Sequence, residues 1–154
     1  MDIADLISPL SVVSNLRATS KKQALQELAK RAAELTGLHE RAIFDVLLER
    51  ERLGTTGVGN GIAIPHGKLP TLDRLYGLFA RLERSINYES IDEQPVDLIF
   101  LLLAPESAGA DHLKALARVS RLLRDRGVCE KLRGTDSSDG LYALLTESPA
   151  SRAA

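Results

Sequence analysis

The run Ile64-Pro65-His66-Gly67-Lys68 presents a histidine that could act as a nucleophile. Imidazole is largely neutral and nucleophilic near pH 7, so it can attack phosphorus and hold the phosphoryl group as a labile phosphoramidate. Pro65 fixes its own dihedral angle and biases Ile64 toward extended backbone, while Gly67 adds no bulk. We therefore predict that His66 lies on a stiff turn with open space beside it and accepts a phosphoryl group. The alternative is an ordinary loop histidine.

A second histidine, His112, follows Asp111 shortly after a strongly apolar segment. Asp111 is predicted to be the N-cap of a helix, which places His112 in the first turn, where free backbone N–H groups favour an anion. Loops at the carboxyl ends of buried strands commonly form sites. We predict that His112 donates a hydrogen bond to phosphoryl oxygens. The alternative is a surface histidine at a helix start.

Arg50 precedes the glycine-rich segment that leads to His66. Phosphoryl transfer depends mainly on positioning and charge stabilisation, and the guanidinium fork matches phosphate oxygens. We predict that Arg50 stabilises the charge of the transferred group. Because Arg52 is close by and Glu49 and Glu51 interleave with the arginines, the alternative is a solvated, charged helix face.

Other chemistries lack the residues that they need. The segment Gly57-Val58-Gly59-Asn60-Gly61 is neither a P-loop, since no Gly-Lys-Ser/Thr follows, nor a dinucleotide fingerprint. The two histidines could bind a metal with a carboxylate, but Asp111 is better used as a helix cap. We expect neither a metal nor a cofactor, and we assign no role to His39, which begins the second predicted helix.

Four helices are predicted from capping residues and apolar spacing. The first begins after Ser20, in a capping box with Gln23, and ends at Gly37. The others cover about 40 to 53, about 112 to 126, and a segment after Ser137. Their inward residues are predicted to be Ala24, Leu25, Leu28, Ala29, Ala32 and Leu35; Ile43, Val46, Leu47 and Leu53; Leu113, Leu116, Ala117, Ser120 and Leu123; and Leu141, Leu144 and Leu145.

Three strands are predicted between the second and third helices. Residues 62–64 form a short strand after the glycine-rich loop 54–61, and the alternation of Tyr76, Leu78, Ala80 and Leu82 predicts a half-buried strand. The apolar run 96–103 is typical of a central strand covered on both faces. The fold class is therefore α/β, one domain over residues 1–154, with a mixed sheet flanked by helices and residues 148–154 as a frayed tail.

The composition limits the classes of partner and the cellular compartment that can be expected for this chain. The formal net charge of −1 gives no reason to expect a nucleic-acid partner. Cys129 is the only cysteine, so an intrachain disulfide is impossible, which suits the cytoplasm. The acidic N-terminus is unlike a secretory signal, and the longest apolar run, 98–104, is too short to span a bilayer. We expect a cytoplasmic protein without membrane insertion.

The segment LLERERLGTTGVGNGIAIPHGK, residues 47–68, resembles the signature of the enzyme IIA family of the bacterial phosphotransferase system, mannitol/fructose type. Asp111-His112-Leu113 resembles the second-histidine segment of that family. The likeness covers about residues 5 to 147. Ile7-Ser8-Pro9 and the segment 20–25 most resemble the nitrogen-related regulatory branch.

The resemblance implies a phosphoryl carrier with an α/β fold and a mixed sheet. In it, His66 accepts a phosphoryl group from an HPr-like phosphocarrier, Arg50 matches the active-site arginine, and His112 matches the second active-site histidine. The regulatory branch implies a role linked to nitrogen or potassium and regulatory protein targets. Two alternatives stay open: a sugar-specific IIA that passes phosphate to a IIB domain, and a non-enzymatic binding module that uses the glycine-rich loop.

Overall fold

A long apolar strand forms the centre of the fold in the computed structural model, which describes residues 1–147. This strand spans Val96–Pro105, and its side chains alternate between two separate apolar clusters. Ile99, Leu101 and Leu103 enter one cluster, whereas Leu98, Phe100 and Leu102 enter the other. Successive side chains of a strand point to opposite faces, so the nearly continuous apolar run indicates burial on both faces, as predicted.

The sheet has six strands and is mixed. They are β1 (Val12–Leu16), β2 (Gly57–Gly59), β3 (Ile62–Ala63), β4 (His66–Leu69), β5 (Tyr76–Ile86) and β6 (Val96–Pro105). The order is β1-β5-β6-β3-β2, and β4 also pairs with β6, beyond β3 on the same edge. The pairs β5–β6 and β2–β3 are antiparallel, and the others are parallel.

Helices cover both faces of the sheet. They are α1 (Lys21–Thr36), α2 (Glu40–Arg52), α3 (Ala110–Arg124), α4 (Arg126–Arg133) and α5 (Ser138–Thr146). The apolar sides of α1 and α2 join the cluster beneath one face, and those of α3, α4 and α5 join the cluster beneath the other. This arrangement confirms the predicted α/β fold with a mixed sheet flanked by helices.

The first helix begins and ends close to the predicted residues. The Ser20 hydroxyl accepts a hydrogen bond from the Gln23 backbone N–H at 3.1 Å, and Gly37 ends the helix with a left-handed φ of 76°. The second half of the predicted capping box is wrong, because the Gln23 side chain bonds the backbone N–H and hydroxyl of Thr19 instead. Leu35 is only partly buried against the core.

Several predicted faces and elements are wrong. Leu53 is 82% exposed and Leu113 69% exposed, so neither faces inward. The buried face of α3 is His112, Ala115, Val119, Leu122 and Leu123; of the predicted set only Leu123 is buried, while Leu116 packs partly buried against the core. β5 is covered on both faces along its first half rather than on one. Strands β1, β2 and β4 and helix α4 were not predicted, and Phe44 is a buried residue of α2 that the pattern missed.

The predicted frayed tail, residues 148–154, lies outside the described residues. That the whole chain forms one domain therefore stays a prediction. Among residues 1–147, no helix combines the length and the apolar character that crossing a bilayer requires.

Candidate functional site

His66 is the first residue of β4, opposite Leu102 of β6. The predicted stiff turn is wrong, because the backbone resumes pairing with β6 directly after Pro65, whose carbonyl accepts a hydrogen bond from Leu102. The open space beside His66 is also not found at Gly67. A Cβ there would approach Val46 of α2 to 2.4 Å, so Gly67 allows α2 to pack closely against β4 rather than leaving room for a partner.

The two nitrogens of the His66 ring have different partners. Nδ1 lies 2.9 Å from the Ile64 carbonyl oxygen, and since a carbonyl only accepts, Nδ1 must carry the hydrogen. Nε2 then has a free lone pair, which accepts a hydrogen bond from Nε of Arg50 at 3.3 Å. The local structure therefore selects one tautomer and leaves Nε2 as the nucleophilic atom.

Arg50 reaches this position from the last turn of α2. One terminal nitrogen of its guanidinium donates to the Gly54 carbonyl at 2.9 Å, and Nε donates to His66. The guanidinium of Arg50 is thus held by two hydrogen bonds, whereas that of Arg52 pairs with Glu49 at the surface. The structure brings Arg50 and His66 together as predicted.

His112 also joins the site. Its ring centroid lies 5.7 Å from that of His66 with an edge-on geometry, and the residue is only 7% exposed, so it is not a surface histidine. The N-cap of α3 is Gly109 rather than Asp111, which lies inside the first turn. His112 remains near the helix start, and its Nε2 is buried and lacks a hydrogen-bond partner among the described residues. A buried polar atom of this kind is costly unless a ligand completes it.

Both histidines are held in the uncharged form. Burial is the largest effect and lowers the pKa of His66 from its ordinary 6.5; the Ile64 hydrogen bond opposes it, the positive charge of Arg50 adds to it, and Glu51 has a smaller opposing effect. Burial, His66 and Lys68 lower the pKa of His112. An anion placed between the rings would reverse this balance, because negative charge favours the imidazolium.

A buried carboxylate lies next to Arg50, and the sequence reasoning missed it. Glu51 is 8% exposed and contacts Lys21, Thr56 and Tyr88, so the alternative of a solvated, charged helix face does not hold for it. Charge alternation cannot distinguish a solvated glutamate from a buried one. Its partner Tyr88 is fully buried and needs a polar partner for its hydroxyl, a requirement that only the fold reveals.

The glycine-rich loop is a small β-hairpin rather than an irregular loop. β2 pairs with β3 through a turn in which Asn60 and Gly61 have φ values of 59° and 82°. No group of three His, Cys, Asp or Glu residues that could hold a metal ion occurs in residues 1–147. The remaining histidine, His39, is the N-cap of α2 and accepts from the Arg41 N–H through Nδ1.

Comparisons with known proteins agree with the fold and with the resemblance in the sequence. The family model of the phosphoenolpyruvate-dependent sugar phosphotransferase system, EIIA 2, matches residues 5–148. A nitrogen regulatory protein of Bradyrhizobium diazoefficiens is 61% identical over 99% of this chain and 100% of its own length. A fructose-specific EIIA component of Haloferax volcanii is 36% identical over 96% of this chain and 98% of its own. The crystal structure of nitrogen regulatory protein IIA-Ntr from Neisseria meningitidis superposes with a TM-score of 0.88 at 31% identity, covering 94% of this chain and 99% of that one.

Proposed function

This chain belongs to the EIIA 2 family of the phosphoenolpyruvate-dependent sugar phosphotransferase system, and we propose that it is a phosphoryl carrier that accepts its phosphoryl group on Nε2 of His66. The observation that carries the proposal is the hydrogen bond from Nδ1 to the Ile64 carbonyl, which leaves a lone pair on Nε2. We propose that the donor is an HPr-like phosphocarrier bearing its own phosphohistidine and that transfer takes place in the cytoplasm.

In the transfer step, the Nε2 lone pair of His66 attacks phosphorus, and the P–N bond of the donor breaks, returning its electron pair to the donor imidazole. The Nδ1–H bond to Ile64 stabilises the positive charge that develops on the His66 ring. Arg50 must release Nε2 as phosphorus approaches, and its guanidinium then lies within reach of the phosphoryl oxygens.

His112 completes the charge stabilisation. Its Nε2 has no hydrogen-bond partner among the described residues, and its ring centroid lies 5.7 Å from that of His66. A phosphoryl group on His66 would raise the His112 pKa and so favour a protonated, donating ring. The acceptor is therefore uncharged before transfer, while positive charge is available on Arg50 and His112 after it.

The test is incubation of the purified chain with a phosphorylated HPr-like protein, followed by intact-mass analysis. We expect a gain of one phosphoryl group that is labile to acid and stable to base, as phosphohistidine is. No mass gain from any phosphocarrier would contradict the proposal and would favour a binding module that uses the glycine-rich hairpin.

We predict that the reactive, neutral form of His66 persists below pH 6.5. A group whose pKa is lowered loses its neutral form only when the pH falls through that lower value, so the NMR titration midpoint of His66 should lie below 6.5. Replacing Arg50 with glutamine removes a positive charge and should raise the midpoint part of the way toward 6.5, since the effect of burial remains. A wild-type midpoint above 6.5 would contradict this picture.

We predict that His112→Ala still accepts phosphate at His66 but loses it faster. A hydrogen bond to a charged group contributes about 1.5–3 kcal/mol, so hydrolysis after removal of the donor should be at least about tenfold faster. His112→Gln retains an N–H donor and should recover part of the difference. Hydrolysis at the wild-type rate in His112→Ala would remove His112 from the site.

We propose further that the chain acts mainly as a regulator of nitrogen-related or potassium-related targets. The support for nitrogen is the likeness to nitrogen regulatory proteins over essentially the whole chain. The potassium link rests only on the resemblance of residues 7–25 to the regulatory branch. Under this proposal, the phosphorylated and unmodified forms bind a protein target with different affinities, because phosphorylation adds charge to the His66 surface.

A second candidate function is sugar uptake, in which the phosphoryl group passes from His66 to a IIB domain. The observation in its favour is the 36% identity to a fructose-specific EIIA component. Incubation of the phosphorylated chain with fructose and mannitol IIB domains discriminates between the roles. Rapid transfer to a IIB domain favours uptake, and retention of the phosphoryl group favours the regulator.

A further inference from the structure

The Glu51 clamp, defined here as Glu51 with Lys21, Thr56 and Tyr88, is a buried polar cluster that the phosphoryl transfer does not itself use. One carboxylate oxygen of Glu51 accepts a hydrogen bond from the Thr56 backbone N–H at 3.0 Å and forms an ion pair with Lys21 Nζ at 2.8 Å. The other accepts from the Thr56 hydroxyl and from the Tyr88 hydroxyl, the latter at 3.3 Å. Each carboxylate oxygen therefore has two partners within the clamp, and the hydroxyls of Thr56 and Tyr88 also lie within hydrogen-bond distance of each other, at 3.1 Å.

The clamp joins three distant parts of the chain. Lys21 begins α1, Glu51 lies in the last turn of α2, and Tyr88 follows β5. The Lys21 ammonium lies 4.8 Å from the centre of the Tyr88 ring. Burial, together with the negative charge of Glu51, raises the pKa of the Tyr88 phenol, so the Tyr88 hydroxyl keeps its hydrogen and remains a hydrogen-bond donor. Buried ion pairs contribute little net stability compared with apolar packing, so the value of this one lies in the geometry that it fixes.

The geometry that the clamp fixes is the turn after α2. Thr56 is bound to Glu51 through both its N–H and its hydroxyl, which closes the segment 51–56 on itself. Gly54 lies inside this closed segment, and its carbonyl accepts from the Arg50 guanidinium at 2.9 Å. The same guanidinium donates through Nε to His66 at 3.3 Å. The position of Arg50 beside His66 therefore depends on where the turn holds the Gly54 carbonyl.

We propose that the Glu51 clamp is a positioning device that holds the Gly54 carbonyl against Arg50 and thereby fixes the guanidinium beside His66. The inference rests on the phosphoryl transfer proposed above. Glu51 and Thr56 are positioning residues: the hydrogen bonds of the His66 ring run to Arg50 and Ile64, so the clamp positions groups at His66 through Arg50, in addition to the charge that Glu51 exerts on that ring.

The experiment is a double-mutant cycle on the rate of phosphoryl acceptance. Thr56→Val removes one hydroxyl from the clamp and leaves the backbone bonds of Thr56 to Glu51 and Ile64 in place. We expect Thr56→Val to accept about tenfold more slowly, corresponding to the loss of one hydrogen bond to a charged group. Thr56→Ser restores the hydroxyl and should recover most of the rate.

The decisive arm repeats Thr56→Val in an Arg50→Gln background, where the clamp has no guanidinium to position. In this background, Thr56→Val should lower the rate by less than about a further twofold, because the effects of substitutions in residues that act as a unit are not additive. Thr135→Val, whose hydroxyl donates to the Lys131 carbonyl far from the site, is the matched control and should leave the rate unchanged.

An equal tenfold fall in both backgrounds, or a wild-type rate in Thr56→Val, overturns the positioning role. If Thr56→Val does not fold, Tyr88→Phe removes the other hydroxyl from the same carboxylate oxygen and is judged by the same dependence on Arg50. Failure of the proposed function is seen separately, as a wild-type chain that accepts no phosphate.

Discussion

Replacing His66 with alanine is expected to abolish phosphoryl acceptance while the protein stays folded. The variant has no nucleophile at the site, so intact mass after incubation with phosphorylated donor should show no gain. It loses the hydrogen bonds to Arg50 and Ile64, each worth about 1 kcal/mol, out of a typical stability of about 5–15 kcal/mol. Thermal unfolding followed by circular dichroism should therefore still be cooperative.

The matched control uses the histidine outside the site. The chain has three histidines, and His39 caps α2 through Nδ1. His39→Asn retains a side-chain acceptor at the cap and should accept phosphate normally. Phosphorylation of folded His66→Ala at the wild-type rate would mean that another residue is the acceptor.

Arg50→Gln is expected to slow phosphoryl transfer on the order of a hundredfold with little effect on folding, since preorganised charge acts on the transition state. The amide can still bond the neighbouring backbone but carries no charge. Single-turnover transfer from a phosphorylated donor measures the rate. Arg50→Lys should recover only part of it, because an ammonium cannot bond the Gly54 carbonyl and the phosphoryl oxygens with a planar fork.

Arg52→Gln provides the control for charge on the same helix. Its guanidinium is exposed and pairs with Glu49 at the surface, so its loss should change transfer by less than about twofold. If Arg52→Gln were slow and Arg50→Gln normal, the assignment of the arginine would be reversed.

The features predicted correctly from the sequence are those set by local chemistry. The run 96–103 is apolar at every position but one, and a strand with such a sequence buries its apolar side chains only where both of its faces are covered. Ser20 and Gly37 delimit α1 because an oxygen side chain satisfies the first helical N–H groups and glycine tolerates a left-handed φ. The proximity of His66, Arg50 and His112 was also predicted, through the family resemblance as well as through their positions next to glycine and helix-start signals.

The features predicted wrongly depend on contacts between distant parts of the chain. Gly67 was interpreted as open space, but Val46 of α2 fills it. The buried face of α3 includes His112, which packs against His66. Because a hydrophobicity pattern does not place a histidine inward, it assigned the neighbouring Leu113 to the buried face instead. The burial of Glu51 was missed because its partners Lys21 and Tyr88 are more than 25 positions away in the chain.

The most direct test of the central claim is nitrogen-15 NMR of the histidine rings after phosphorylation by an HPr-like donor. We expect the phosphoryl group to couple to Nε2 of His66, while Nδ1 keeps its hydrogen bond to Ile64 and His112 shifts toward the protonated form. A phosphoryl group on Nδ1 of His66, or on either of the other two histidines, would contradict the claim.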